Sequence, residues 1–451
     1  MLFAHGVGSR GDLPLPLWMF TWGSAIALGL SFVALGVLWK EPRLAQAATG
    51  RRLFRDAVPV ALRGLQLLGQ VAAFGLLALG LWAGFFGADT DAENILPVMF
   101  YVIAWVGAQL VAGLLGDLWG AISPFATIAR WAEVLGNKLG IQPAEPPAKL
   151  GHIPAAAGLF VFLFIELAHP SGSSPRVLAW ALTVHIAIIV LLTLRWGSKW
   201  MTEHEPFGAL LDMIGAMGIL GSTAGPGDDE KSSLRLRAPM SGLAAMPVLP
   251  GTLATLLVVL GGTTFDGFVE SEAGRDLFGR PSGWGGSITL TIGLIISILL
   301  VTSLFGVGIR WTCSVTNLES DFVTNSFTPS LVPIVFGYAI AHYAQLLIDE
   351  VQTFWFRLSD PGGFGWDLFG GADGSADLTL LSPTAIAWIQ VLAILFGHVG
   401  AVLVAHDRSM ELVDHGESAG SGANNALRSQ YVMLLVMVIY SALGLWLLNN
   451  A

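Results

Sequence analysis

The chain has 451 residues, of which 54% are hydrophobic and only 12% are charged. Soluble globular domains contain about 25% charged residues, so the composition excludes a soluble protein of this length. The formal net charge of −10 excludes the basic surface that a nucleic-acid partner needs. The single cysteine, Cys313, excludes an intramolecular disulfide and any zinc or iron–sulfur site built from several cysteines. We expect one integral membrane domain over residues 1–451.

Apolar stretches recur along the whole chain, and most approach the ~20 residues that a helix needs to span a bilayer. They cover residues 17–38, 61–85, 95–115, 153–169, 177–196, 248–262, 287–309, 331–348, 384–405 and 431–448. The shortest is 248–262. Because these segments are apolar on every side, they predict an all-α, polytopic transmembrane helical bundle of about ten spans.

Basic residues indicate the orientation of this bundle. With ten spans and an external N-terminus, seventeen of the 22 lysine and arginine residues fall on the inner side. This asymmetry follows the positive-inside rule and predicts that the N-terminus and the C-terminus both lie outside. We expect a multi-pass protein of the plasma membrane. Residues 1–16 have no basic region before the first apolar stretch, so we interpret them as a short outer segment, not a secretory signal.

The longest polar connection divides the chain into two sets of five helices. Residues 1–198 hold the first five, residues 199–246 form an inner loop, and residues 247–451 hold the last five. An odd number of helices in each half gives the two halves opposite topologies, as inverted-repeat transporters require. Within the inner loop, the mildly apolar stretch 205–218 is expected along the membrane surface. Two Gly-rich outer loops with paired aromatic residues, 263–286 and 350–383, are expected to cap an outward-facing cavity.

Ionisable residues at membrane depth are the candidates for function, because leaving such a group unpaired in a bilayer costs several kcal/mol. His185 lies inside the fifth stretch and His342 inside the eighth, each roughly 10–13 Å from the outer end of its helix. Glu166 and His169 share a helix face at the outer end of the fourth stretch. Asp349 and Glu350 lie at the outer end of the eighth.

Imidazole and carboxylate together suit a transition metal. The metal hypothesis gives His185, His342 and Glu166 as ligands, with His169, Asp349 or His5 of the N-terminal segment as additions. Zinc fits best, and copper or iron are alternatives. A metal-bound water would be the nucleophile, Asp349 or Glu350 the base, and Asp266 and Asp367 assisting groups on the capping loops. The alternative is that each histidine only bonds to a neighbouring helix; axial ligation of haem by two such histidines is a further alternative.

A second group of ionisable residues lies at the inner side. His398 and His406 are eight residues apart and therefore share a helix face, and Asp407 and Arg408 follow directly. The group is interpreted as a helix terminus with a cation near its carbonyl end, or as a second ion site or proton exit.

Several short motifs resemble a known family. They are HGVGSRGDLP at 5–14, TTFDG at 263–267, AHY at 341–343, GWDLFG at 365–370, GH at 397–398 and AHDR at 405–408. In these the chain is similar to actinobacterial-type integral membrane proteins labelled fenitrothion hydrolase. The resemblance implies a membrane-bound activity that degrades organophosphates.

Our first hypothesis is therefore a membrane-embedded, metal-assisted hydrolase of hydrophobic phosphotriester- or ester-like substrates that enter from the bilayer. The alternatives are an ion- or metal-coupled transporter and a non-catalytic subunit of a larger membrane complex. Expected partners are the lipid bilayer and a small hydrophobic substrate or an ion, with oligomerisation or complex partners left open. A hydrolase needs one closed cavity with clustered histidine and carboxylate. A transporter needs a polar path from the outer group to His398 and His406.

Overall fold

The computed structural model describes residues 16–54, 60–147, 149–221, 234–279, 281–414 and 428–450. Over these ranges the protein is an all-α bundle, as the sequence predicts. Ten helices form its body: α1 Leu17–Leu38, α2 Val60–Phe86, α3 Ile95–Leu115, α4 Ile153–Leu167, α5 Pro175–Trp196, α6 Thr252–Glu270, α7 Gly283–Thr316, α8 Leu331–Ser359, α9 Pro383–Asp414 and α10 Tyr431–Asn450. Within the described residues, nine of them are long and apolar enough to cross a membrane, and α4 has only 15 residues.

Shorter elements connect these helices. The helices are Leu44–Ala48, Trp119–Ile122, Pro124–Lys138, Ser198–His204, Pro206–Gly215, Glu272–Phe278 and Ser320–Phe327, with 3₁₀ turns at Ser241–Ala244 and Thr328–Ser330. Three two-residue strands, β1 Arg51–Arg52, β2 Leu220–Gly221 and β3 Arg235–Leu236, form a small antiparallel sheet with β3 in the centre.

The connections form two groups at opposite ends of the bundle. Among the described residues, we call the end that holds residues 39–54, 116–147, 149–152, 197–221, 234–251, 406–414 and 428–430 the basic face, and the end that holds residues 87–94, 168–174, 271–279, 281–282 and 360–382 the acidic face. Basic-face contacts are Trp39 to Asp407, His152 to Pro250 and Thr312 to Ser429. Acidic-face contacts are Ser174 to Asp89 and Ala88 to Gly362. Helix α4 begins at the first group and ends at the second, so it also joins the two faces despite its length.

Helix α6 corrects the predicted bounds of the sixth span. The sequence ended this span at residue 262, but the helix continues to Glu270. The hydroxyl groups of Thr263 and Thr264 donate to the carbonyls of Val259 and Leu260, at 3.0 and 2.7 Å. Their hydrogen-bonding needs are therefore met within the helix itself. Asp266 was expected on a capping loop and lies instead on a buried turn of α6.

The stretch 205–218 also departs from its prediction. It was expected along the membrane surface, but seven of the ten residues of Pro206–Gly215 are buried. Together with Ser198–His204 it forms a re-entrant hairpin, whose tip is Glu205. The tip bonds to His185, eleven residues before the end of α5, so it reaches roughly 16 Å into the bundle. Backbone at this depth is tolerated because protein surrounds it.

Helix α3 has an unusual interior. Residues Val98–Gly107 form a π-helix of ten residues between two α-helical ends. Such segments are rare and frequently lie at functional sites. One side of the segment is buried against the bundle through Tyr101 and Trp105, and the other side borders an apolar cavity.

Candidate functional site

A close contact between two ionisable side chains joins α6 and α8. Nε2 of His342 lies 2.7 Å from Oδ2 of Asp266. Both residues are buried, with exposures of 2% and 1%. A hydrogen bond of this length between an imidazole and a carboxylate is charge-assisted and strong in a low-dielectric interior. When Asp266 is ionised, Nε2 of His342 carries the proton and donates it.

Tyr343 connects this pair to a second carboxylate. Its hydroxyl lies 3.3 Å from Oδ2 of Asp266 and 3.4 Å from Oε1 of Glu166 on α4. A phenol has one proton and donates it to one acceptor at a time, so the two similar distances leave either carboxylate available. Glu166 and Tyr343 are both buried. Glu166, Tyr343, Asp266 and His342 thus form one chain of protonatable groups, which we call the acidic cluster.

The space beside the acidic cluster is small. A cavity of about 10 Å³ borders His342 and is lined also by Gly267, Tyr338 and Gly444. That volume is on the order of one water molecule. A Cβ added at Gly267 would lie 3.8 Å from Nδ1 of His342, which is an ordinary van der Waals contact, so α6 approaches the imidazole closely here without requiring a glycine. The cavity leaves no room for an ester substrate.

Further polar groups lie between the acidic cluster and the basic face. The Tyr440 hydroxyl is hydrogen-bonded to the hydroxyl of Thr264. The Tyr440 ring lies 5.8 Å from the ring of Tyr338 and 6.1 Å from that of His398. His398 is buried, and its Nδ1 donates to the carbonyl of Ile394 at 2.9 Å. Its Nε2 is buried without a hydrogen-bond partner and is therefore available to accept a proton.

These polar groups continue to His406 at the basic face, two turns further along α9. Nε2 of His406 lies 3.0 Å from the carbonyl of Trp39, and Nδ1 lies 3.3 Å from the amide of Gln430. The neighbouring Asp407 accepts from the indole of Trp39 at 2.9 Å and from the backbone of Arg43 at 2.7 Å. Asp407 therefore fixes the chain that follows α1. It lies inside α9, which continues to Asp414, so the predicted helix terminus at this group was wrong.

His185 belongs to a different site. It was grouped with His342 because the two have compatible depths, and with Glu166 as a further metal ligand, but its Nε2 lies 3.0 Å from Oε1 of Glu205 at the tip of the re-entrant hairpin. Its ring packs against Phe125 and Phe207. Sequence reasoning did not single out Glu205. Its signal is a carboxylate directly before a proline and an apolar run, which is typical of a helix N-terminus.

The other predicted site residues lie near the acidic face. His169 is half-buried; its Nδ1 accepts from the backbone of Ser171 at 3.1 Å and its ring packs on Trp284. Asp349 and Glu350 are half-buried on α8, roughly 10 Å along the helix beyond His342. Asp367 is exposed and accepts from the backbone of its own loop. His5 and Asp12 lie outside the described residues.

These positions do not form a set of metal ligands. Among the described residues, no three histidine, cysteine, aspartate or glutamate side chains come together in a group that could hold a metal ion. The ring nitrogens Nε2 of His185 and of His342 each bond to a carboxylate of a separate site. A bound metal stays a prediction of the sequence, and we derive no chemistry from it.

The largest cavity noted in the described structure is apolar and separate from the acidic cluster. Its volume is about 400 Å³, and it lies between α2, α3, α5, the acidic-face part of α8 and the short helices at the basic face. Neither Asp266 nor His342 lines it. Comparison of the chain with protein-family models, with curated proteins and with solved structures found no match.

Proposed function

We propose that this protein is a proton-linked membrane transporter, in which the acidic cluster accepts and releases the proton. The observation that supports this proposal best is the buried bond between Asp266 and His342, joined through Tyr343 to Glu166. Relays of acids and histidines inside transmembrane bundles are typical of proton-driven pumps and transporters. The proposal retains the transport alternative that the sequence raised.

The chemistry of the acidic cluster suits proton transfer. A proton on Glu166 passes to the Tyr343 oxygen while the phenol gives its own proton to Asp266, so that the tyrosine is unchanged. Protonated Asp266 then donates to His342 after the ring has turned, so that the unprotonated Nδ1 faces the carboxyl group and accepts the proton. The first two transfers need only the contacts of 3.3 and 3.4 Å that Tyr343 already makes, whereas the last one needs the ring turn.

A partly apolar segment separates the acidic cluster from the basic face. His398 and His406 are eight residues apart on α9, roughly 12 Å along the axis. The small cavity between these levels is lined mainly by apolar residues, among them Val402, Met433 and Met437, with the amide of Gln430 at its basic-face end. Such a segment blocks proton passage in this conformation, as a transporter with alternating access requires.

Hydrolysis of a lipophilic ester has less support. It needs a substrate-sized cavity in contact with the histidine and the carboxylates, and the cavity beside His342 has a volume of about 10 Å³. The 400 Å³ cavity has room, but no histidine, aspartate or glutamate lines it. The hydrolase function that the resemblance implies therefore stays a prediction, and transport is the function that we propose.

Proton flux into liposomes tests the proposal. Purified protein is reconstituted with a pH-sensitive dye inside, and a potassium gradient with valinomycin provides the membrane potential. We expect Asp266→Asn and His342→Gln to lower the proton flux at least tenfold. His185→Gln is the matched control, because it removes a half-buried imidazole that also bonds to a carboxylate but belongs to another site. Each variant is first shown to be monodisperse and to keep its unfolding temperature.

Two results would overturn the proposal. The first is a wild-type protein, correctly folded, whose liposomes show no more proton flux than empty ones, with and without candidate solutes. The second is a flux that Asp266→Asn and His342→Gln leave unchanged. Hydrolysis of a model phosphotriester by the same preparation, lost in both variants, would favour the hydrolase instead.

A further inference from the structure

The apolar cavity lies at membrane depth along most of α3. Its lining residues on this helix run from Leu96, near the acidic face, to Ala112, three residues before the other end. The cavity is therefore elongated, over roughly 20 Å. Its volume of about 400 Å³ falls within the range of about 300–1,000 Å³ that is typical of ligand sites. Phe354 lies at one end of it and Pro124 at the other.

The chemistry of the lining restricts the ligand. No charged side chain borders the cavity, and the side chains are almost all aliphatic or aromatic. A polar solute would lose its hydration there without gaining partners. A hydrocarbon chain has no favourable hydration to lose in the cavity, and it gains dispersion contacts with the wall. The π-helical segment of α3 supplies part of this wall through Phe100, Ile103 and Ala104.

Polar residues continue the same wall toward the basic face. On α2, residues 63, 66, 70, 73 and 77 follow helical spacing and share one face. Ala73 and Leu77 line the cavity. Gln66 and Gln70 lie closer to the basic face than these two residues. Their side-chain amides donate to the carbonyl of Ala121 at 3.2 and 2.8 Å. Arg63, exposed, lies one turn further out.

We propose that this cavity binds one hydrocarbon chain of an anionic phospholipid from the basic-face leaflet. The order along α2 is a cation, two amides and an apolar wall. A phospholipid presents a phosphate, ester groups and a hydrocarbon chain in the same order. Arg63 contacts the phosphate, and the second chain of the lipid stays in the bilayer. This binding site is separate from the acidic cluster and does not depend on proton movement.

Photo-crosslinking in nanodiscs tests the site. The probe is phosphatidylglycerol with a diazirine in one acyl chain, compared with the phosphatidylcholine analogue. We expect crosslinks to concentrate on Phe100, Ile103 and Ala104. Ala104→Trp fills the cavity and should lower the crosslink yield in this segment at least fivefold. Leu68→Trp is the matched control, because Leu68 is exposed on α2 outside the cavity. Arg63→Gln should reduce the yield with phosphatidylglycerol severalfold more than Arg51→Gln does.

The results separate a specific site from ordinary lipid contact. Crosslinks spread equally over the cavity and over exposed positions such as Leu68 and Leu299 would overturn the proposal. So would an Ala104→Trp variant that crosslinks like the wild type. Equal yields with the two lipids, both lost in Ala104→Trp, would contradict the anionic head group. A loss of proton flux has no bearing on these outcomes, so the two proposals fail independently.

Discussion

Oε1 of Glu205 lies 3.0 Å from Nε2 of His185, although the two residues are separated by a helix end and a complete short helix. The same carboxylate accepts from the backbone of Phe207 at 3.2 Å and of Gly208 at 2.7 Å. It therefore caps the helix Pro206–Gly215 and also attaches the tip of the re-entrant hairpin to α5. One side chain holds a turn of backbone deep inside the bundle.

Replacement of Glu205 by alanine should destabilise the protein. The substitution removes three acceptor contacts and leaves two buried backbone donors without partners, which costs about 2 kcal/mol or more. We expect a lower midpoint of thermal unfolding in detergent, measured by the loss of helical circular dichroism. Glu145→Ala, at an exposed position on the same face, is the control. An unfolding midpoint equal to that of the control would show that the hairpin does not depend on this carboxylate.

The fold follows from the sequence more readily than the site does. Each of the ten predicted spans corresponds to a helix, because length and apolarity alone decide whether a segment can cross a bilayer. Six of them match within two residues at each end, whereas α7, α8 and α9 continue 7, 11 and 9 residues beyond the predicted ends. The bounds of α6 were wrong because Thr263 and Thr264 count as polar in a sequence yet bond to their own helix. The hairpin at Glu205 was missed because its flanking residues are polar enough to indicate a surface loop.

The site was predicted only in part, because a sequence indicates how deep a residue lies along its helix but not which neighbouring helix it faces. The position of a residue along a helix axis can be counted from the sequence, and this gave His185 and His342 compatible depths. The direction in which a side chain points around the axis depends on which helices are neighbours. His185 has a similar depth but faces Glu205, whereas Tyr343 and Asp266 complete the cluster around His342.

His152 should make stability depend on pH. It lies before the first turn of α4 and bonds through Nδ1 to the hydroxyl of Thr252 at 2.8 Å. Burial, together with the nearby His204, lowers the pKa of His152 from its ordinary value of 6.5 to about 4. The unfolded chain then binds the proton more readily between these values, so the stabilising contribution is complete above about pH 6.5 and is lost as the pH falls toward 4.

Thermal unfolding between pH 7.5 and pH 4.5 checks this dependence. The wild type should lose up to about 3 kcal/mol of stability over this range through His152. His152→Gln removes the titrating group and should reduce the slope, while His169→Gln at the acidic face should leave it unchanged. A slope that stays the same in His152→Gln would mean that other groups account for the acid sensitivity.

The contact between α8 and α9 depends on two glycines. A Cβ added at Gly397 would lie 2.7 Å from the carbonyl of Pro333, and one at Gly337 would lie 2.5 Å from that of Ala393. Both obstacles are backbone atoms, so the helices would have to separate. We expect Gly397→Ala to cost about 1–3 kcal/mol, measured by thermal unfolding. Gly306→Ala on α7 is the control: nothing lies within 4 Å of its added Cβ, and it should be neutral or slightly stabilising.

Tyr343→Phe separates a relay from a structural role for the acidic cluster. The variant keeps the ring and removes the hydroxyl that contacts both Asp266 and Glu166. If the hydroxyl transfers the proton, the flux in the liposome assay should fall about tenfold, whereas the stability should change by only about 1 kcal/mol, since one weak hydrogen bond is lost.

Tyr101→Phe is the matched control, because Tyr101 is equally buried but donates to the carbonyl of Gly172 at 2.8 Å. Tyr101→Phe should keep the wild-type proton flux, although it should lose about as much stability as Tyr343→Phe does. Equal proton flux in Tyr343→Phe and Tyr101→Phe would show that the Tyr343 hydroxyl does not carry protons between Glu166 and Asp266.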